Sequence, residues 1–145
     1  MINLKSVFGA ILLITFLLWG TSAFAGELTW LNSGEAAFAR AKLENKMVIL
    51  FVGREGCGNC RYMRSQVFET EKPPVKTLIE EHYVLWFSDI DNSTGWHPYA
   101  KGMKQFTLPL ICLIDPDSDN KYEDRTTGRQ HSPEFYSRLL KYIEK

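Results

Sequence analysis

Two thiols two residues apart, Cys57-Gly58-Asn59-Cys60, are the side chains of this chain best suited to chemistry. Cysteines at that spacing can form a redox couple, supply half of a metal site, anchor a haem or close a small structural loop. Haem attachment needs a histidine directly after the second cysteine, and position 61 is Arg. A structural zinc site needs four ligands, commonly two C-x-x-C pairs or a histidine pair. The other candidates, Cys112, His82, His97 and His131, show no paired spacing. A structural clip this short constrains the unfolded chain little, because the benefit grows with loop length. Disulfide exchange is the reading these residue types support best, and no metal is expected.

The chemistry depends on the elements that hold the pair. Met47 to Val52 (MVILFV) is a continuous apolar run, as expected of a strand buried on both faces. Gly53-Arg54-Glu55-Gly56 reads as a turn, and a helix carrying Met63, Val67 and Phe68 begins at the cysteines. The motif therefore sits where a buried strand ends and a helix starts. A helix N-terminus offers unpaired N–H groups and the positive end of the macrodipole. Cys57, at the cap or first position, is then favoured as thiolate. Cys60, one turn further in, is more sheltered and can reach back. Cys57 attacks and Cys60 resolves, through a mixed disulfide.

Around this centre the chain alternates. Ser33 caps a helix to about Glu44, with Ala37, Phe38, Ala41 and Leu43 on its apolar side. Pro73-Pro74 opens a short helix with Val75, Leu78 and Ile79, and Tyr83 to Ile90 (YVLWFSDI) reads as a strand. A weak helical stretch lies near Tyr99 to Lys104, before a buried strand at Leu110 to Ile114 (LICLI). Asp115 to Asn120 is a turn by composition, Tyr122 to Thr127 an edge strand, and Ser132-Pro133-Glu134 starts a closing helix. This order predicts a compact three-layer α/β domain with a mixed sheet.

The first 25 residues read as a separate unit. Lys5 precedes a run of 13 residues, Val7 to Trp19, without charge or strong polarity, and Ala23-Phe24-Ala25 follows. Basic, apolar and A-x-A segments in that order form the pattern of a secretory signal peptide, so cleavage is expected after Ala25, leaving a single domain at 26–145; the alternative is an uncleaved anchor, with Gly20 to Ala25 also entering the lipid. That domain would carry 16 basic and 17 acidic side chains, a balance that gives no electrostatic argument for nucleic acid or an anionic membrane surface. Export means an oxidising compartment where disulfides persist. Three cysteines in a chain with 45% apolar residues are too few for a disulfide-stapled scaffold and are free to serve chemistry.

From Trp30 to Lys145, the order of strand, C-x-x-C, helix and a distant Leu-Pro before a buried strand resembles the thioredoxin superfamily. Within it, WLNSGEAAFARAKLENKMVILFVGREGCGNCRYMRSQVF is similar to secreted thioredoxin-like domains, themselves like the soluble thioredoxin domain of membrane thiol:disulfide interchange proteins. The resemblance implies a thioredoxin fold, three-layer α/β/α with a central mixed sheet. It implies that Pro109, in Thr107-Leu108-Pro109-Leu110, is a cis-proline facing the cysteines. The backbone of Leu108 would then lie exposed beside Cys57 to pair with a substrate strand. Three features depart from the family pattern: Gly56 replaces a Trp, Phe51 replaces a buried acid that serves the resolving thiol, and Gly-Asn separates the cysteines in place of Gly-Pro or a pair containing His. With no His between them, one source of thiolate stabilisation is missing, and Arg54 and Glu55 nearly cancel. These features argue for a reductase rather than a strong oxidant. Glu55 is a candidate to substitute as proton relay, the alternative being a side chain that simply faces water.

The remaining candidates read as structure. Cys112 is expected to be a small core hydrophobe, and Trp96-His97-Pro98 to pack on the domain. Asp115, Asp117 and Asp119 open like a calcium loop, but Thr126 stands where the twelfth-position Glu belongs. The expectation is an exported, monomeric thiol:disulfide oxidoreductase acting on protein thiols and disulfides. It would need no metal, nucleotide or flavin, and a membrane electron donor would re-reduce it. It would be periplasmic in a bacterium, or otherwise secreted or in the ER lumen. The alternative from another class is a non-catalytic binding module, holding a client protein or Cu(I) at the two thiols.

Overall fold

The computed structural model describes residues 26–119 and 121–143, so the leader expected over residues 1–25 lies outside them. In chain order the elements are β1 (Trp30–Leu31), α1 (Gly34–Glu44), β2 (Met47–Gly53), α2 (Gly58–Tyr62), α3 (Val75–His82), β3 (Tyr83–Asp89), β4 (Leu110–Ile114), β5 (Asp124–Thr127) and α4 (Ser132–Leu140). A π-helical stretch, Met63–Phe68, continues α2, and a 3₁₀ turn, His97–Ala100, stands before β4. The sheet order is β1-β3-β2-β4-β5. β1 and β2 run parallel to β3, whereas β4 is antiparallel to both β2 and β5. This is the mixed sheet, covered on both faces, that the sequence predicts.

The apolar run of β2 is continuous because each of its faces meets a different core. Ile49 and Phe51 join Met63, Val67, Phe68, Ile79, Phe135 and Leu139 under α2, α3 and α4. Val48, Leu50 and Val52 join Ala37 and Ala41 of α1, Trp86, Tyr99 and Cys112 on the other face. β2 also lies between β3 and β4, so its backbone is paired on both edges.

α1 forms where the capping chemistry predicts. The Ser33 hydroxyl accepts the Ala36 N–H at 3.3 Å, and Asn45, at φ 53°, closes the other end in the left-handed region that Asn tolerates. Its first residue must be small: a Cβ on Gly34 would stand 2.8 Å from the Trp86 ring. Several boundaries shift from the sequence reading. Gly53 ends β2 rather than opening the turn, β5 starts at Asp124 rather than Tyr122, and Ala100 ends the helical turn expected near Tyr99 to Lys104. Ser132 is the first residue of α4, not its cap; the His131 carbonyl takes the first helical bond, from the Phe135 N–H at 3.0 Å. Among the described residues, no helix is long and apolar enough to cross a membrane.

Candidate active site

The cysteines lie at the C-terminal end of the central strand. Cys57 caps α2 with extended backbone (φ −83°, ψ 111°), and its sulfur accepts the Cys60 N–H at 3.1 Å. A helix-terminal N–H donor on a sulfur is an environment that favours a thiolate. The two residues form a disulfide with Cα atoms 5.2 Å apart. Cys60 is 3% exposed and belongs to the core under α2, whereas Cys57 is half-buried at its edge. The first sulfur is therefore open to a partner and the second is sheltered.

Gly53 makes room for this arrangement. A Cβ there would stand 3.0 Å from Cys60 Sγ and 3.0 Å from the Phe51 ring. Phe51, fully buried, occupies the position beneath the pair, its ring 5.5 Å from that of Trp30, 5.7 Å from Phe68 and 6.3 Å from Phe87. An aromatic cluster thus replaces the buried carboxylate of the family pattern. Beside it a recess of about 700 Å³ reaches Cys60, with Glu55, Arg61, Arg64, Trp30 and Phe87 on its walls. The Arg64 guanidinium lies over Trp30 at 4.8 Å and Phe87 at 5.3 Å. Arg54 pairs with Asp91 at 3.0 Å, so the carboxylate facing its charge is Asp91 rather than the neighbouring Glu55.

On the opposite flank, the Leu108–Pro109 peptide bond is cis, as the resemblance implied. The Asn59 side-chain amide donates to the Leu108 carbonyl at 3.4 Å, so the second residue between the cysteines touches the proline loop directly. A third segment completes the surround. The Gly128 N–H donates to Thr107 O at 2.9 Å and to Pro109 O at 2.8 Å, with Gly128 at φ +76°, where glycine carries no steric cost. Gln130 N–H donates to Met63 Sδ at 3.2 Å, and the Arg129 guanidinium stacks on Tyr62 at 3.4 Å from the ring centre. The helix after the cysteines, the proline loop and the turn after β5 are locked together.

The set-aside residues lie away from this centre. Cys112 is fully buried in the α1-side core, across the sheet from the disulfide, and burial pushes its thiol up to about 12. Trp96 packs against the same core and Phe106, with its ring N–H on Ser93 O at 2.8 Å. Asp115 accepts the Asp117 N–H at 2.9 Å, as a turn residue does, and no group of three metal-ligating side chains occurs among the described residues.

A family model described as thioredoxin-like matches residues 29–116, a span that contains both cysteines and Pro109. The chain belongs to the thioredoxin-like family. Solved thioredoxins share its fold. A thioredoxin from Thermus thermophilus is 21% identical, with 81% of this chain and 88% of that one covered at a TM-score of 0.66. A poplar thioredoxin h is 14% identical over 83% and 99% of the two chains, at 0.58. The C-terminal domain of Neisseria meningitidis DsbD in the oxidised form is 18% identical over 76% and 90%, at 0.53. No curated protein matches the chain. Family, fold and the paired cysteines make this thioredoxin-like protein a thiol:disulfide oxidoreductase. Sequence reasoning missed the closeness of Gly53 to Cys60 and the whole Gly128–Gln130 segment. A glycine ending an otherwise bulky strand was a signal for the first; nothing local marks the second, which meets the site through long-range contacts.

Proposed function

We propose that this protein is an exported reductase of protein disulfides, with Cys57 as nucleophile, Cys60 as resolving thiol and the Leu108–Pro109 segment as the substrate side. The observation that carries the reading is the asymmetry of the pair. Cys57 is half-exposed and capped by an N–H donor, while Cys60 is sheltered one turn inward. In the reduced protein the Cys57 thiolate attacks a substrate disulfide and forms a mixed disulfide, expelling one substrate thiolate, which takes up a proton. Cys60 then loses its proton and attacks the Cys57 sulfur, expelling the second substrate thiolate. The substrate gains two electrons and the protein keeps the Cys57–Cys60 disulfide. Leu108, already approached by Asn59, offers backbone to a substrate strand beside the attacking sulfur.

Direction follows from what stabilises the thiolate. One backbone N–H reaches the Cys57 sulfur, and Asn59 rather than a histidine stands between the cysteines. A less stabilised thiolate makes the disulfide form the weaker oxidant. The basic, apolar and A-x-A leader supports export, periplasmic in a bacterium. In an oxidising compartment a reductase must be re-reduced, and a membrane electron donor fills that role. Turnover of a protein disulfide by the wild type, Cys57→Ser and Cys60→Ser tests the mechanism. Cys60→Ser accumulates a mixed disulfide on Cys57, and Cys57→Ser is inert. Full activity in Cys57→Ser would refute it.

A further inference from the structure

We propose that Arg129 selects partners carrying an acidic side chain next to the reacting cysteine, and that the partner's carboxylate enters the recess beside this arginine. The proposal rests on the reading of Leu108 and Pro109 as the substrate side.

Position comes first. Gly128 is bonded through its N–H to the carbonyls on both sides of Leu108, those of Thr107 and Pro109. The next residue, Arg129, spans to the cysteine helix by stacking on Tyr62. Its guanidinium therefore bridges the two lips between which a polypeptide on Leu108 would lie. A guanidinium that stacks by its flat face keeps its in-plane N–H donors for a carboxylate. Arg129 is exposed and forms no ion pair with a described residue.

Charge and cavity agree. A recess of about 460 Å³ adjoins Arg129, with Met103, Arg125, Gln130, Glu134 and Arg138 on its walls. Asp124 neutralises Arg138 at 2.6 Å. Arg125 is held by the Tyr99 and Lys101 carbonyls at 2.9 and 3.1 Å, neutral acceptors that leave its charge in place. Two uncompensated arginines then face one carboxylate, Glu134, and the recess is net positive. Gln130, 6% exposed, donates through Nε2 to Thr126 Oγ1 at 2.9 Å, and its buried Oε1, an acceptor, adds no site for a carboxylate. The larger recess beside Cys60 carries three arginines against four carboxylates and is net negative by one, so the positive side of the site is the Arg129 recess.

The test uses three disulfide-containing peptides identical except for Glu, Gln or Lys at the position flanking the attacked cysteine. The readout is the ratio of second-order rate constants for their reduction by the reduced protein. For one solvent-exposed charge pair, Glu is expected over Gln by about two- to five-fold, with a similar factor of Gln over Lys. About 0.5 M salt should flatten the series, because surface charges are screened. Arg129→Gln should flatten it at low salt and Arg129→Glu should invert it, with thermal melts verifying that both variants fold. Equal rates in the wild type, or a preference for Glu that survives in Arg129→Glu, overturns the proposal alone. Failure of the wild type with all three peptides overturns the oxidoreductase reading and this proposal with it.

Discussion

Replacing Gly53 by alanine asks whether the sheltered sulfur is held by contact with the strand below it. The backbone tolerates the change, since only Gly102 and Gly128 among the described glycines have positive φ. Losing a glycine from a strand end favours folding by about 0.5–1 kcal/mol. Against this, the new methyl would stand 3.0 Å from both Cys60 Sγ and the Phe51 ring. Overpacking of this kind costs about 1–3 kcal/mol. The net is a destabilisation of about 0–2.5 kcal/mol, or up to about 10 °C in Tm for a domain of this size. In the disulfide, Cys60 Sγ is tethered and cannot yield; in the dithiol it can rotate away. The cost should therefore fall mainly on the oxidised form. If about 1 kcal/mol of it is specific to that form, the reduction potential rises by about 20 mV. The assay is thiol labelling in dithiothreitol redox buffers, with melts of both redox forms. A lower Tm of equal size in both forms, at unchanged potential, would refute the argument, because the strain would then lie on Phe51 and not on the sulfur.

Three further outcomes follow from the buried residues. Cys112 should resist alkylation at pH 8 in the folded protein and react on unfolding, since its thiol is pushed up from 9.0 to about 12 by burial. The folded state then holds a proton that the unfolded state releases, so this residue's contribution to stability is complete below about pH 9 and declines towards pH 12; a Cys112→Ala variant with the same decline would contradict that. Phe51→Ala, emptying the centre of the aromatic cluster, should cost about 3–5 kcal/mol in urea unfolding, and a loss under about 1 kcal/mol would mean that Trp30, Phe68 and Phe87 do not depend on it. Tyr83→Phe removes a buried O–H that donates to the Leu139 carbonyl at 2.7 Å, with an expected cost of about 1–2 kcal/mol, checked by the same unfolding curves.

The parts of the site legible in the sequence were those written locally. Cys57 and Cys60 follow an apolar run too continuous for a half-exposed strand, and the glycine-rich turn between them forces a strand-to-helix junction. The capping of α1 by Ser33 was local in the same way. What stayed hidden depended on distant partners. β1 is two residues long, and Trp30-Leu31 becomes a strand only because β3 lies alongside. Nothing near Arg129 points to Tyr62, 67 positions earlier. The Leu-Pro step carries no cis signal of its own, so the Leu108–Pro109 geometry was reached through resemblance. Ser132 misled because Ser-Pro-Glu also suits the first turn of a helix, one residue later than the cap.

The sheet order has a consequence for how recognition and reactivity are distributed. Opening motions start where ladders are short or one-sided and reach doubly paired strands last. The disulfide is rooted at the end of β2, bordered by β3 and β4. The Gly128–Arg129 wall instead follows β5, a four-residue strand with one neighbour. The lip proposed to meet a partner thus follows a one-sided strand and is held by its bonds to Thr107, Pro109 and Met63, while the sulfurs stand on a strand paired along both edges. A substitution on that rim, such as Arg129→Gln, should then leave the Cys57–Cys60 reduction potential where it is.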